Sequence, residues 1–263
     1  MPFIPLKDDT PRLLIRHAWV TWGTIALCCM AFYLQISSGS AAYERLVYAL
    51  GVIPATVTGA AELTPELSLV PPAATLITSM FLHADVLHLI GNMLYLWVFG
   101  DNIEDSMGHP RFLVFYLLCG IVASLLHVAL APESTVPTIG ASGAISGVLG
   151  GYLILNPRAR VLVPVLLWIP MYIPAALLLV LWFVFQVLAV VADPGSGQGV
   201  AWWAHIGGFI AGAILVVPFR RKTVPLFGGG AAPSGIRMTV RRRRDPSRRR
   251  NQANNRDRHG PWG

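Results

Sequence analysis

Charged residues are scarce in this sequence. Only 13% of its 263 residues are Asp, Glu, Lys or Arg, whereas 54% are hydrophobic, and the mean hydropathy is +0.59. A typical soluble globular domain has about a quarter of its residues charged. The shortage of charge therefore excludes a soluble globular protein, and it favours a single membrane domain with short tails.

Cysteine and two hydrolase motifs are also scarce or missing. Cys28, Cys29 and Cys119 all lie in apolar runs and two of them are adjacent, so no disulfide framework is indicated and we interpret them as small core residues. The sequence contains no HExxH segment, which argues against a membrane zinc protease. It also contains no G-x-S-x-G, the motif of the nucleophile elbow in soluble hydrolases.

Apolar stretches of membrane-spanning length are present instead, since a helix needs roughly 20 residues to cross the hydrocarbon. They predict an all-α, six-span bundle over residues 17–219, between an N-terminal segment (1–16) and a tail (220–263). We expect the first span to be retained, because no small-residue cleavage site follows a short apolar core. The six spans are predicted at about 17–36, 74–99, 112–130, 139–155, within 161–191 and 200–219, the fifth having Pro164, Pro170 and Pro174 in its early half.

The positions of lysine and arginine predict the orientation of these spans. Of the 20 Lys and Arg residues, only Arg45 falls in a loop assigned to the outer face. Because basic residues collect on the cytoplasmic side, both termini are predicted to be cytoplasmic in a multi-pass protein of the cell membrane.

The tail contains a strongly basic run, "RRRRDPSRRR", between Arg237 and Arg258. No aromatic residues alternate with these arginines and no folded module presents them, so we expect no nucleic-acid partner. A disordered tail that binds anionic lipid head groups is the simpler interpretation.

Polar residues occur at one depth in three of the predicted spans. Spans two, four and six all run inward from the outer face. Near that face, the second contains "HADVLHLIGN" with Asp85, the fourth begins with "GASG", and the sixth begins with "WWAHIGG". A lone polar residue is most simply a satisfied core residue. Three clusters at one depth favour a shared interior site, because polar groups in lipid are costly.

The residue types in this layer suggest acyl transfer. A serine with a histidine across the bundle is the minimal nucleophile–base pair, and His88 and Asn92, four residues apart on one helix face, can both donate to a developing oxyanion. No convincing carboxylate partner for His205 is evident, so a dyad is predicted. His83, His88 and His205 could alternatively bind a metal, but no Glu or Cys ligand accompanies them, and we expect neither a metal nor another cofactor.

The three clusters resemble the motifs of the rhomboid family of intramembrane serine proteases, in the family's order and over about residues 15–220. They are His83-x4-His88-x3-Asn92, Gly140-Ala141-Ser142-Gly143 and Ala204-His205-x2-Gly208. The resemblance implies that Ser142 is the nucleophile and His205 the general base. It also implies an oxyanion hole of His88, Asn92 and the Ser142 backbone N–H, with His83 supporting the loop and second helix. The implied substrates are transmembrane proteins, cleaved at a site that opens toward the outer face.

Two further features bear on this interpretation. Many rhomboids have an aromatic residue four positions after the nucleophile, where this chain has Ser146. The resemblance also suggests a lateral substrate gate in the fifth span, with Trp182 or Phe185 against the second helix, although lipid-facing or core aromatics explain these residues equally well.

The glycines around the serine predict close helix packing. Gly143, Gly147 and Gly151 lie four residues apart in the fourth span, as do Gly208 and Gly212 in the sixth. This small-x3-small pattern lets two helix backbones approach each other.

Two other functions remain open at this stage. One is a non-catalytic rhomboid-like protein that binds transmembrane clients. The other is a small-solute transporter, which predicts an internal repeat that the sequence does not show.

Overall fold

The computed structural model describes residues 4–165, 169–192 and 202–228 of the chain. The basic run between Arg237 and Arg258 lies outside these residues, so its predicted role remains a prediction. The helices of the described part are α1 (Trp19–Ser37), α2 (Ser40–Leu50), α3 (Pro54–Thr58), α4 (Pro72–Thr78), α5 (Val86–Met107), α6 (His109–Leu130), α7 (Ser142–Leu155), α8 (Ala175–Ala192) and α9 (Trp202–Phe219), with a 3-10 turn at Ser79–Phe81.

Four of these helices, α1, α6, α8 and α9, are long and apolar enough to cross a membrane. A fifth candidate is a bent pair, in which Pro72–Phe81 and α5 meet at 83°. Helix α7 is apolar but only 14 residues long. The chain is therefore a mostly helical membrane protein, as the composition predicts.

The second predicted span, 74–99, is not one continuous helix, and this corrects the sequence interpretation. Asp85 has an extended backbone, and its carboxylate accepts a hydrogen bond from the backbone N–H of His88 at 2.8 Å. A side chain that accepts a hydrogen bond in this way is an N-cap, and it marks the first turn of a separate helix. The apolar run therefore breaks just before α5.

The prediction of the fifth span is also wrong over the early half of residues 161–191. Two strands, β2 (Arg160–Val165) and β3 (Ile169–Pro174), lie in this part of the chain and pair antiparallel with Pro164 opposite Pro170. Strand β1 (Lys7–Asp8) adds to β2, so the sheet order is β1-β2-β3. Proline has no N–H and clashes within a helix, which explains why the helix starts only after the last of the three prolines. The all-α class is thus corrected to a mostly helical fold with one small sheet.

Two buried carboxylates at the end of α5 hold the N-terminal segment. Glu104 accepts hydrogen bonds from the backbone N–H groups of Val20 and Thr21, at 3.0 and 2.8 Å, and from the Thr21 hydroxyl. Asp105 accepts three further backbone N–H bonds, from residues 13–15. The first N–H groups of a helix have no partner within it, so Glu104 caps α1 from another helix. This contact fixes α1 against α5.

Gly208 and Gly212 of α9 pack directly against the backbone of α7, the close approach that the small-x3-small pattern predicts. The glycines of α7 face α6 as well, since a Cβ on Gly143 or Gly147 would first meet side chains of that helix. A Cβ atom placed on Gly208 would lie 2.0 Å from the carbonyl oxygen of Gly143, and one on Gly212 would lie 1.9 Å from that of Gly147. Any larger side chain at these two positions would separate the helices. The helix with the serine and the helix with the histidine are therefore held as close as backbones allow.

We expect Gly212→Ala to destabilise the protein by about 1–3 kcal/mol, because the added methyl group overlaps the α7 backbone. Thermal unfolding in detergent measures the loss. Gly23→Ala is the matched control, since a Cβ on Gly23 of α1 would meet nothing within 4 Å. The control should unfold at or slightly above the wild-type temperature, because Ala favours helix over Gly. Equal melting temperatures for the two variants would contradict the packing argument.

Candidate active site

Ser142 is the first residue of α7, and the backbone before it passes close to α5. Gly140 has a φ of +127°, a conformation that side chains other than glycine rarely adopt. Its N–H donates to the carbonyl of Ser79 at 2.9 Å. A Cβ on Gly140 would lie 2.8 Å from Cε1 of His88. Glycine is therefore required here by both conformation and space, and it brings the start of α7 against His88.

The structure brings Ser142 and His205 together across the α7–α9 contact. Nε2 of His205 lies 2.8 Å from Oγ of Ser142, which is hydrogen-bond distance. His205 is buried, and its side chain lies at the start of α9, beside the glycine face of that helix. A neutral imidazole in this position can accept the hydroxyl proton of the serine, which is the requirement for nucleophilic attack.

Gln186 of α8 completes the contacts of the histidine ring, and the sequence analysis missed it. Its Oε1 lies 2.8 Å from Nδ1 of His205, and the side chain is 2% exposed. The signal was present in the sequence: Gln186 interrupts an otherwise apolar segment, and polar residues at membrane depth face the interior of the bundle. The sequence shows no convincing carboxylate partner for His205 and therefore predicts a Ser–His dyad without a third residue. The described contacts instead give His205 an amide partner.

His88 and Asn92 lie together on the α5 side of Gly140. Nδ1 of His88 accepts a hydrogen bond from the backbone N–H of Ala84 at 3.4 Å, so a neutral ring has its proton on Nε2. A Cβ on Gly140 would lie 2.9 Å from that Nε2 and 3.7 Å from Nδ2 of Asn92. Two side-chain donors thus point at the backbone two residues before Ser142.

The amide of Asn92 has no hydrogen-bond partner for Nδ2 within the described part of the chain, although the atom is buried. A buried donor without a partner costs about 1–3 kcal/mol. Such a group is uncommon in folded proteins, and a functional role is one reason for retaining it. Its position fits a donor that acts on a group entering the site.

His83 lies beneath this site. It is fully buried, and its ring packs edge-on against that of His88 with a centroid distance of 5.2 Å. Gln35 of α1 holds the backbone of His83 at both its N–H and its carbonyl, at 3.1 and 3.4 Å. The hydroxyl of Tyr43 donates to the carbonyl of Ala84 at 2.8 Å. Burial, with a smaller contribution from the Asp85 carboxylate, raises the pKa of Tyr43, so the phenol remains a donor.

Two tryptophans flank the ring of His205. The rings of Trp182 and Trp202 both lie 6.1 Å from the imidazole centroid, the second at a right angle to it. The hydroxyl of Ser146 donates a hydrogen bond to the carbonyl of Ser142 at 2.6 Å. Trp202 was also missed by the sequence analysis. Trp182 and Phe185, the two residues of the predicted gate, both make ring contacts with α9: Trp182 stacks on Phe209, and Phe185 packs edge-on against Trp202.

No group of three His, Cys, Asp or Glu side chains within residues 4–165, 169–192 and 202–228 is arranged to hold a metal ion. Each ring nitrogen of His205 already faces a protein partner, the serine and the glutamine. The arrangement therefore suits proton transfer.

Comparison with known proteins agrees with these features. Residues 72–222, more than half of the chain, match the Rhomboid domain. The chain belongs to the rhomboid family. The matched segment contains the bent pair and the helices α6, α7, α8 and α9. It therefore includes Ser142, His205, Gln186, His88 and Asn92, whereas the two residues that hold the His83 loop from α1 and α2 lie before it. The prediction of family membership is confirmed.

Several rhomboid proteins of other organisms are similar to this chain. It is 34% identical to the rhomboid protease GluP of Bacillus subtilis, over 72% of this chain and 33% of that protein. It is 34% identical to the mitochondrial Rhomboid protein 1 of Saccharomyces cerevisiae, over 53% of this chain and 40% of that one. It is 32% identical to Rhomboid-like protease 3 of Toxoplasma gondii, over 56% of this chain and 51% of that protein. The matches span from a third to half of the relatives' own lengths.

Proposed function

We propose that this rhomboid is a serine endopeptidase that cleaves peptide bonds in or near the transmembrane segments of other membrane proteins. The observation that carries the proposal is the 2.8 Å contact between Ser142 Oγ and His205 Nε2 inside the helical bundle. In this mechanism Nε2 takes the hydroxyl proton as Oγ attacks the peptide carbonyl. The imidazolium then gives the proton to the leaving amine, and water, deprotonated by the same nitrogen, hydrolyses the acyl-enzyme.

The negative oxygen of the tetrahedral intermediate is stabilised by three donors in this proposal. They are the unpartnered Nδ2 of Asn92, Nε2–H of His88 and the backbone N–H of Ser142. The first two are supported by their proximity to Gly140 and by the burial of Asn92. Fixed donors in a site from which water is largely excluded stabilise the charge that develops in the transition state.

The proposed topology has six spans, with the bent pair and the short helix α7 each counted as one. A 14-residue helix is about 21 Å long, less than the roughly 30 Å of a bilayer core. The start of α7 is then recessed below the outer surface, which is where an intramembrane nucleophile is needed. We propose cytoplasmic termini, a site that opens outward in the cell membrane, and a basic tail that contacts anionic lipids. Trp182 and Phe185 are the proposed substrate gate.

Cleavage of a model substrate tests the proposed activity. The full chain is reconstituted in liposomes with a single-span protein that is labelled at both ends. We expect two fragments, with a cleavage site that mass spectrometry maps in or next to the span. A substrate that co-purifies with the protein but stays intact would instead indicate a non-catalytic client-binding protein.

The rate of cleavage should depend on pH through His205. Only a neutral imidazole can accept the serine proton, so the rate should fall as the pH drops through a histidine ionisation, which in an unperturbed group lies near 6.5. The initial rate between pH 4 and 9, with folding checked at each pH, measures this dependence. A rate that is constant over the whole range would contradict a histidine base.

A further inference from the structure

We propose that Gln186 is a positioning residue that holds His205 in the one tautomer able to accept the proton of Ser142. The inference rests on the proposed serine chemistry and adds a third member to it. Where many serine hydrolases use a carboxylate to orient the histidine, this protein uses a neutral amide on a neighbouring transmembrane helix.

The direction of the amide follows from its second contact. Nε2 of Gln186 lies 3.4 Å from the carbonyl oxygen of Trp182, one turn earlier in α8. A carbonyl oxygen can only accept, so the amide nitrogen must face Trp182 and the amide oxygen must face His205. This removes the usual ambiguity between the two ends of a glutamine side chain.

The tautomer of the histidine follows from the direction of the amide. Oε1 of Gln186 is an acceptor at 2.8 Å from Nδ1 of His205, so Nδ1 must carry the proton. In a neutral ring Nε2 then has its lone pair free, and that lone pair faces the Ser142 hydroxyl at 2.8 Å. The hydrogen bonds therefore run in one direction, from Ser142 to His205 to Gln186 and on to the Trp182 carbonyl.

Burial makes this arrangement effective. Gln186 and His205 are 2% and 8% exposed, so water offers little competition for Nδ1. No carboxylate, lysine or arginine of the described residues is at hydrogen-bond distance from the ring, and the titratable side chains that influence it are His88 of α5 and His127 of α6. Gln186 is thus the group that distinguishes the two ring nitrogens on the side away from the serine.

A neutral partner has a different consequence from a carboxylate. An amide orients the ring but does not attract the imidazolium that forms during the reaction, whereas a nearby negative charge favours that ion. Replacing Gln186 by Glu should therefore keep the orientation and change the pH dependence. Replacing it by Leu should keep the volume and remove the orientation.

The experiment measures the rate at which a fluorophosphonate probe labels the full chain in detergent, from pH 4 to 9. In this reaction Ser142 Oγ forms a bond to phosphorus, fluoride leaves, and His205 takes the proton. We expect Gln186→Leu to label about tenfold more slowly than wild type, as for loss of one hydrogen bond. We expect Gln186→Glu to label within a few-fold of wild type, with the acidic fall in rate moved to higher pH by about one unit or more.

Gln35→Leu is the matched control, since Gln35 is also a buried glutamine of a spanning helix. Its amide contacts the backbone of His83 and not the ring of His205. Whatever its rate, its acidic fall should stay at the wild-type pH. If both Gln186 variants label at the wild-type rate, or if Glu neither restores the rate nor moves the acidic fall, the positioning role is refuted.

A measurement on the resting protein, which does not depend on catalysis, separates the role of Gln186 from the proposed activity. The 15N shifts of His205, assigned by their loss in His205→Asn, report which ring nitrogen has the proton. We expect the Nδ1–H form in wild type and a mixture in Gln186→Leu. Labelling that survives in Ser142→Ala would refute the proposed nucleophile and leave this measurement valid. A wild-type Nε2–H form would refute the role of Gln186 even in an active enzyme.

Discussion

Ser142→Ala should abolish both substrate cleavage and fluorophosphonate labelling, with a loss of at least about 10⁴-fold, to the background of protein-free liposomes. The proposed chemistry has no second nucleophile in contact with His205. The fold should survive, because alanine is as small as serine and favours the first turn of α7. Fragment yield and thermal unfolding, measured on the same preparation, give both quantities. Cleavage above background by a folded variant would refute the mechanism.

Ser146→Ala is the control for this prediction. Ser146 lies one turn further along α7 and its hydroxyl donates to the carbonyl of Ser142, so it is a buried serine of the same helix whose described hydrogen bond is not to the base. Its loss removes one hydrogen bond, worth about 1 kcal/mol of stability. We expect labelling within tenfold of wild type. An inactive, folded Ser146→Ala would mean that the nucleophile has been wrongly assigned.

Asn92→Ala should lower kcat by roughly 100- to 1000-fold, equivalent to about 2.7–4 kcal/mol, and leave KM almost unchanged. The reason is that Nδ2 of Asn92 is proposed to act only when the oxyanion forms. The structure strengthens the prediction, because this buried nitrogen has no partner in the described part of the resting protein. Steady-state kinetics on a reconstituted transmembrane substrate, together with thermal unfolding, measure the two effects.

Asn102→Ala on the same helix provides the matched comparison. The Nδ2 of Asn102 donates to Asp8 at 2.7 Å and so ties α5 to strand β1. That variant should unfold at a lower temperature with normal kcat in the surviving protein. If Asn92→Ala behaves like Asn102→Ala, Asn92 is a structural residue and does not belong to the oxyanion hole.

Much of the site could be predicted from the sequence because its determinants are local. The spacing of His88 and Asn92 places both on one helix face, and the glycine spacing around Ser142 and on α9 predicts a close helix contact. The scarcity of charge and the apolar runs predict a membrane bundle. These are properties of residue type and helical period, which the chain has before any tertiary contact forms.

The parts that the sequence analysis missed depend on contacts between distant segments. The prolines of this region explain why it is not helical, but only the pairing of residues 160–165 with 169–174 and with β1 makes them strands. Glu104 caps a helix more than 80 residues earlier, a contact that no local pattern encodes.

Gln186 also combines a property that the local sequence indicates with a contact that only the tertiary structure decides. Its presence in an apolar helix indicates that it faces the interior. Only the packing of α8 against α9 decides that its partner is Nδ1 of His205. The sequence by itself determined which residue types enter the bundle, because hydropathy and helical period act along the chain. The tertiary structure decided which atoms meet, because a hydrogen bond forms only at about 3 Å, a separation set by the approach of whole helices.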